Sequence, residues 1–155
     1  MRYSTQLSDA VHILAYIAVF SESDTVTSDI LAASIETNPT NVRKIMGKLR
    51  QHGLIHTVNG RPKPTLSRPV EDITLYDVFI SVNEDTRLIE VDDHTNPRCI
   101  IGANIQQALE KEYARLQQAA ENEMKQVTLA DILRSISTSA VNTDPENAEI
   151  VASFL

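Results

Sequence analysis

A chain of 155 residues, 42% hydrophobic and 23% charged, has the length of one domain with a small appendage and enough apolar material for a core, which excludes a disordered chain. Its longest apolar stretch, residues 11–20, is too short to span a bilayer and lacks the flanks of a signal peptide; its single cysteine excludes an internal disulfide, so a reducing cytoplasmic setting with no membrane partner is expected. The net charge of −7 argues against nucleic acid until it is divided: residues 1–69 hold 8 Lys+Arg against 5 Asp+Glu, a net of +3, and residues 70–155 hold 6 against 16, a net of −10.

In chain order, the first expected helix covers 4–20, where Leu7, Val11, Leu14, Ile17 and Ala18 fall at helical spacing. His12 on that helix reads as a satisfied core histidine. The polar run 21–25 ends it. Thr27 or Ser28 can cap a short second helix through Ile35, with Ile30, Leu31 and Ile35 facing inward. After the turn Glu36-Thr37, Asn38-Pro39 is a cap followed by proline at the first helical position, and the third helix ends before Gly53.

That third helix carries the most chemistry. Val42, Ile45, Met46 and Leu49 form its buried stripe, leaving Thr40, Asn41, Arg43, Lys44, Lys48 and Gln51 outside. Two short helices, the second basic and polar at its start, match a helix-turn-helix. Arginine and lysine can pair with guanine or phosphate and asparagine with adenine. Residues 39–68 hold seven basic side chains and no acidic one, a stripe suited to phosphates within about 8 Å, the Debye length at physiological salt. An ordinary solvated surface helix is the plainer reading of this segment taken alone.

Residues 54–58 have strand character, and Asn59-Gly60 is a hairpin dipeptide. The return strand is expected at 65–68, short and irregular because Pro62 and Pro64 cannot donate ladder hydrogen bonds. A basic hairpin after a recognition-type helix is a wing. The expected DNA-contacting set is therefore Ser28, Asn38, Thr40, Asn41, Arg43, Lys44 and Lys48 from the helices, with Asn59, Arg61 and Lys63 from the wing.

Thr74 and Asp77 open a helix through about Val82 in a capping-box arrangement, and Thr128 and Asp131 repeat that grammar, a shared helix start and not a duplication. Residues 84–98 are acidic and irregular. A long helix over 103–127 keeps Ile105, Leu109, Tyr113, Leu116, Ala120 and Met124 on one stripe, with Val127 at its end. Antiparallel packing on a second copy would bury that stripe and give a homodimer; packing on the first helix is the intramolecular alternative. The tail 137–155 is either mobile or docks across the dimer. The resulting division is a winged domain at 1–82, an acidic loop with a dimerisation helix at 83–136, and the tail. The fold class is mainly α with a small β-hairpin: a winged helix-turn-helix plus a long C-terminal dimerisation helix.

These pieces together resemble the Rrf-type winged-helix regulators, the family of the iron–sulfur cluster regulator and the cysteine-metabolism repressor. The resemblance covers about residues 2–136. It rests on Tyr3 with His12-Ile-Leu-Ala15, on Asn38-Pro-Thr-Asn-Val42 with Ile45-Met-Gly-Lys-Leu-Arg-Gln-His-Gly-Leu-Ile55, on Ile73-Thr-Leu-Tyr-Asp-Val78, on Asn96-Pro-Arg-Cys99, and on Val127-Thr-Leu-Ala-Asp-Ile-Leu133. It implies a homodimeric, usually repressing, transcription factor on near-palindromic promoter sites in double-stranded DNA; a small-molecule or oxidant effector is a further candidate partner. Two departures stand out. The cluster-holding members resemble one another in three cysteines where this chain has only Cys99, so no cofactor is expected. The glycine-rich wing is replaced by Gly60-Arg-Pro-Lys-Pro64.

Cys99, ahead of the long helix and beside Arg98, is either a redox switch or a small packing residue. Asp92, Asp93, His94 and Cys99 match no metal template and read as a solvated acidic loop, so no metal is expected. His52 and His56 read as phosphate-facing or packing residues, since Gly53 breaks the helix between them. No Ser/His/Asp or Cys/His signature and no glycine-rich phosphate loop points to an enzyme. The alternative from another class is a non-catalytic protein-interaction adaptor on a winged-helix scaffold, which salt dependence would separate from a DNA binder.

Overall fold

The computed structural model describes residues 5–20, 22 and 25–155, and of Pro62 the backbone alone. Tyr3 and the expected helix start at residue 4 lie outside the described residues, as do residues 21, 23 and 24 of the expected break. The elements are α1 (Gln6–Phe20), α2 (Ser28–Ile35), α3 (Pro39–Gln51), β1 (Ile55–Val58), β2 (Arg61–Leu66), a 3₁₀ turn Val70–Asp72, α4 (Leu75–Val82), α5 (Ile105–Gln126), α6 (Leu129–Thr143) and a short α7 (Ala148–Val151) between two further 3₁₀ turns. This is a winged helix-turn-helix with a long following helix.

Local chemistry sets most boundaries. Thr27 caps α2, its hydroxyl accepting from the Ile30 N–H at 3.2 Å. The helix stops at Glu36, which takes a left-handed conformation (φ 61°) while the Thr37 N–H returns to the Ala32 carbonyl at 3.0 Å. Asn38 caps α3 by accepting from the Asn41 N–H at 2.8 Å, and Pro39 occupies the first turn, where no N–H is needed. At the far end Gly53 (φ +70°) donates to Arg50 O at 3.1 Å and Leu54 to Leu49 O at 2.9 Å, a Schellman closure whose two leucines are both fully buried.

The wing pairs Ile55 with Leu66, His56 with Thr65 and Val58 with Arg61, with a bulge between His56 and Val58. The return strand therefore begins at Arg61 and ends at Leu66, not at 65–68 as the prolines suggested. The paired positions fall on Arg61, Thr65 and Leu66, so neither proline has to donate within them. Asn59-Gly60 makes the turn, Gly60 at φ +77°.

The core joins Ala10, Ile13, Leu14 and Ile17 of α1 to Leu31 of α2, Val42, Ile45 and Leu49 of α3, and Val78 and Val82 of α4. It also takes Leu129 and Leu133 of α6. The winged domain is consequently not complete at residue 82, and α6 runs through the expected 136/137 boundary without a break. The backbone at the starts of α4 and α6 explains why. Leu75 N–H donates to Val127 O and Leu129 N–H to Ile73 O, each at 2.8 Å, so the two helix starts clasp each other across an antiparallel bridge between Thr74 and Thr128. The tail docks on its own chain, an arrangement not among the two expected: Val151 is buried and Phe154 packs on the core.

Two inward assignments need correction. Ile30 is exposed, because Leu31 and Ala32 take the buried side of the eight-residue α2. His12 is satisfied but not in the core; it lies exposed, its Nε2 2.8 Å from Ser34 Oγ.

Among the described residues no helix is long and apolar enough to cross a membrane.

Candidate nucleic-acid interface

The outer face of α3 presents Thr40, Arg43 and Lys44 to solvent. The Arg43 guanidinium donates to Ser28 Oγ at 3.2 Å and to Thr40 Oγ1 at 3.3 Å, which brings the first turns of α2 and α3 into one polar cluster. Asn41 is half-buried and donates to Thr37 Oγ1 at 3.3 Å; Asn38 is exposed, but its side-chain oxygen is committed to the cap. On the wing, Asn59, Arg61 and Lys63 are exposed.

Two of the seven cations of residues 39–68 are turned to structural use. Arg68 lies 3.7 Å from Asp77 and donates to Asp72 O at 3.3 Å. Lys48, expected on phosphate, instead donates to Val82 O at 2.9 Å and to Gln6 Oε1 at 3.3 Å, and its side chain is only 19% exposed. The reason is the position of α3's last turns, which sit over the carbonyl end of α4, where a cation is favoured. Arg43, Lys44, Arg50, Arg61 and Lys63 meet no acidic side chain among the described residues. Arg50 was missing from the sequence-derived set. It is exposed, and its donation to Thr57 Oγ1 at 3.3 Å places it where α3 meets the wing. Its signal was membership of the basic run, masked by its place beyond the helix start.

Away from this face, α5 buries none of its residues. Its contacts within the chain run to α4, where Lys125 Nζ stands 4.5 Å over the Tyr76 ring, and to the segment 83–104. Gln117 clamps that segment, donating to Thr86 O at 2.8 Å and accepting from the Leu88 N–H at 2.9 Å. Ile105, Leu109, Tyr113, Ala120 and Met124 are half-covered, and Leu116 is 54% exposed. Within the segment, the Arg87 guanidinium hydrogen-bonded to Asp85 holds that carboxyl down at about 2.

Cys99 is exposed, not a packing residue. The peptide N–H groups of Gly102 and then Ile101 draw its thiol below the ordinary value; the source is its own turn, not Arg98. That turn needs Gly102, since a Cβ there would stand 2.4 Å from the Asn96 carbonyl oxygen. Asp92, Asp93 and His94 bring potential ligand atoms within 4.8 Å of one another, all exposed and without Cys99. His52 is a capping residue, its Nδ1 3.0 Å from Lys48 O, and His56 is exposed on β1.

Residues 3–135 match the Rrf2 family, described as iron-dependent transcriptional regulators. The chain belongs to the Rrf2 family. YwnA of Bacillus subtilis, named as an HTH-type transcriptional regulator, is 31% identical over 133 residues, spanning 86% of this chain and 98% of the relative. A crystal structure described as that of a DNA-binding protein is also 31% identical, with a TM-score of 0.68 over 83% of this chain and 98% of the other. At 17% identity and TM-score 0.63, over 85% and 95% of the two chains, CymR, the global cysteine regulator of B. subtilis, shows the same fold.

As an Rrf2-family member the chain is a DNA-binding transcriptional regulator and not an enzyme. The family description implies iron, but the donor set here does not fit a thiolate-held iron–sulfur group. One cysteine cannot supply three thiolates, and the exposed Asp92–His94 oxygens and nitrogen are not a substitute for them.

Proposed function

We propose that this Rrf2-family regulator is a cytoplasmic homodimeric repressor that reads a near-palindromic promoter site through α3 and the wing. The observation that carries the reading is the single-sign exposed face formed by Arg43, Lys44, Arg50, Arg61 and Lys63 on an otherwise acidic chain. Thr40 and Arg43, held together with Ser28, are set to meet base edges, with Lys44 beside them. Arg50, Asn59, Arg61 and Lys63 line the phosphates or the minor groove. Asn38 and Asn41 act mainly by shaping the start of α3, because Asn38 Oδ1 already serves the cap and Asn41 Nδ2 the turn. The half-covered stripe of α5, with Leu116 exposed, is the surface a second copy would bury. The two reading heads would then meet half-sites about one helical turn, roughly 10 bp, or a multiple apart. Occupying promoter DNA is itself a means of repression.

For the oxidant class of effector, the supporting residue is the exposed Cys99 thiol, drawn below its ordinary pKa by its own turn.

Selection of genomic fragments by the purified chain, reduced and oxidised, at about 150 mM salt tests the reading. Recovery of a near-palindromic site is expected, with release on oxidation that Cys99→Ser abolishes. No enrichment in either state overturns it in favour of the adaptor. On the recovered site, Arg43→Ala should weaken binding by about 1–3 kcal/mol if the guanidinium reads a guanine. An equal loss on every sequence would make it a phosphate contact.

A further inference from the structure

Lys48 sits near the end of α3 and points away from the exposed basic face. Its ammonium reaches three different elements: Val82 O at the last residue of α4 (2.9 Å), Gln6 Oε1 in the first turn of α1 (3.3 Å), and Glu84 Oε1 at 4.0 Å, just after α4. The bond to Val82 is the strong one. The last carbonyls of a helix have no partner within it, and α4 closes its own end through the Asn83 N–H and side-chain amide, both donating to Phe79 O. Val82 O is left for a donor from elsewhere, and the positive ammonium suits the negative end of α4. Glu84 contributes little, being 92% exposed at the limit of ion-pair distance.

Moving the Lys48 ammonium onto a phosphate would break this bond and strip the Val82 carbonyl of its partner. A further consequence is geometric. α3 is fixed at its start by the Asn38 cap and along its length by Val42, Ile45 and Leu49, while Lys48 pins its last turns polarly to α1 and α4. Thr40 and Arg43 lie upstream on the same rigid rod, so the tether bears on how they meet a base edge. The tether also stands where the segment 83–104, which carries Cys99, leaves α4.

We propose that Lys48 is a positioning residue for sequence recognition: it locks the recognition helix to the ends of α4 and α1, and so raises discrimination between DNA sequences without neutralising a phosphate. The proposal rests on α3 being the reading helix.

The test uses the full chain, the selected duplex and a scrambled duplex of equal length, each titrated over a salt series. Lys48→Met keeps the aliphatic stem and removes the ammonium. Its affinity for the selected site should fall about tenfold or more, with the scrambled duplex changed less than about twofold and the slope of log K against log salt unaltered. Its melting temperature should drop by about 3–6 °C, the scale of one part-buried charged hydrogen bond, at the low end of its range, in a chain of this size. Lys48→Arg, which retains a cationic donor, should recover part of both losses. Lys48→Gln, with an uncharged donor, takes the place of methionine should that variant fail to fold.

Equal losses on both duplexes, with a slope shallower by about 0.9, would make Lys48 a phosphate contact and overturn the proposal. Unchanged affinity and melting would overturn it as well. Were the wild-type chain itself to prefer no sequence, the reading of α3 would fail and this proposal with it, while the melting shift would still report the anchor.

Discussion

Helix α3 sinks Val42, Ile45 and Leu49 into the core of its own chain, whereas α5, at 22 residues against 13, covers its stripe only by half and fully buries none of its side chains. Both helices carry an apolar stripe at the same spacing. The difference lies in what the chain can bring to cover it. α1, α2 and α4 converge on α3, and the wing closes behind it; among the described residues α5 packs chiefly on α4 and the segment 83–104, which leave Leu116 open and Ile100 and Ile101 bare at its leading end. Periodicity marks a face and says nothing of its cover. The outer faces differ in the same sense: α3 and the wing show cations, while the later part of the chain is acidic.

The largest effect comes from emptying the covered side. Leu49→Ala, at a fully buried position inside the Schellman closure, should cost about 2–5 kcal/mol in urea unfolding, with a midpoint insensitive to protein concentration in the monomeric range. A cost below about 1 kcal/mol would mean that α3 is less firmly seated than its burial implies. On the uncovered helix, Leu116→Asp should leave helix content intact but move the chain from dimer to monomer in light scattering. It should weaken DNA binding through loss of the paired half-sites. A wild-type chain that scatters as a monomer, or a variant that stays dimeric, breaks the comparison on the α5 side.

Smaller effects sharpen it at the turns that bound the two regions. Glu36 holds a left-handed backbone that glycine adopts freely, so Glu36→Gly should stabilise the helix-turn-helix by about 0.5–1 kcal/mol in the same assay. A loss would show that the Glu36 side chain contributes more than its backbone costs. At the entry to α5, the lowered Cys99 pKa means that the thiolate persists to lower pH in the folded chain than in the unfolded one. The pH midpoint of alkylation should therefore lie below that of the urea-unfolded protein, and Gly102→Ala, which crowds the Asn96 carbonyl, should move it back up. Coincident midpoints for folded and unfolded chains would remove the peptide N–H groups of Gly102 and Ile101 as the cause.

Much of this was open to reading along the chain, and for local reasons. Asn38-Pro39, the Gly53 closure, Asn59-Gly60 and the Thr–Asp boxes act within a few residues, so their sequence determines their geometry. The apolar spacing of α1, α3 and α5 determined which faces could be buried, and the charge division marked where anions can be met. Tertiary structure alone decided what depends on neighbours distant in sequence. It placed α6 in the core of the winged domain, because two helix starts 54 positions apart, at Thr74 and Thr128, share a backbone bridge. It carried β2 through Pro62 and Pro64, because the bulge set the register. It turned His12 out to Ser34, left Ile30 in solvent, and took Lys48 from the candidate DNA face to Val82. A lysine's composition and spacing give its charge and its helix position; which acceptor its ammonium finds is set by the carbonyl that folding leaves without a partner.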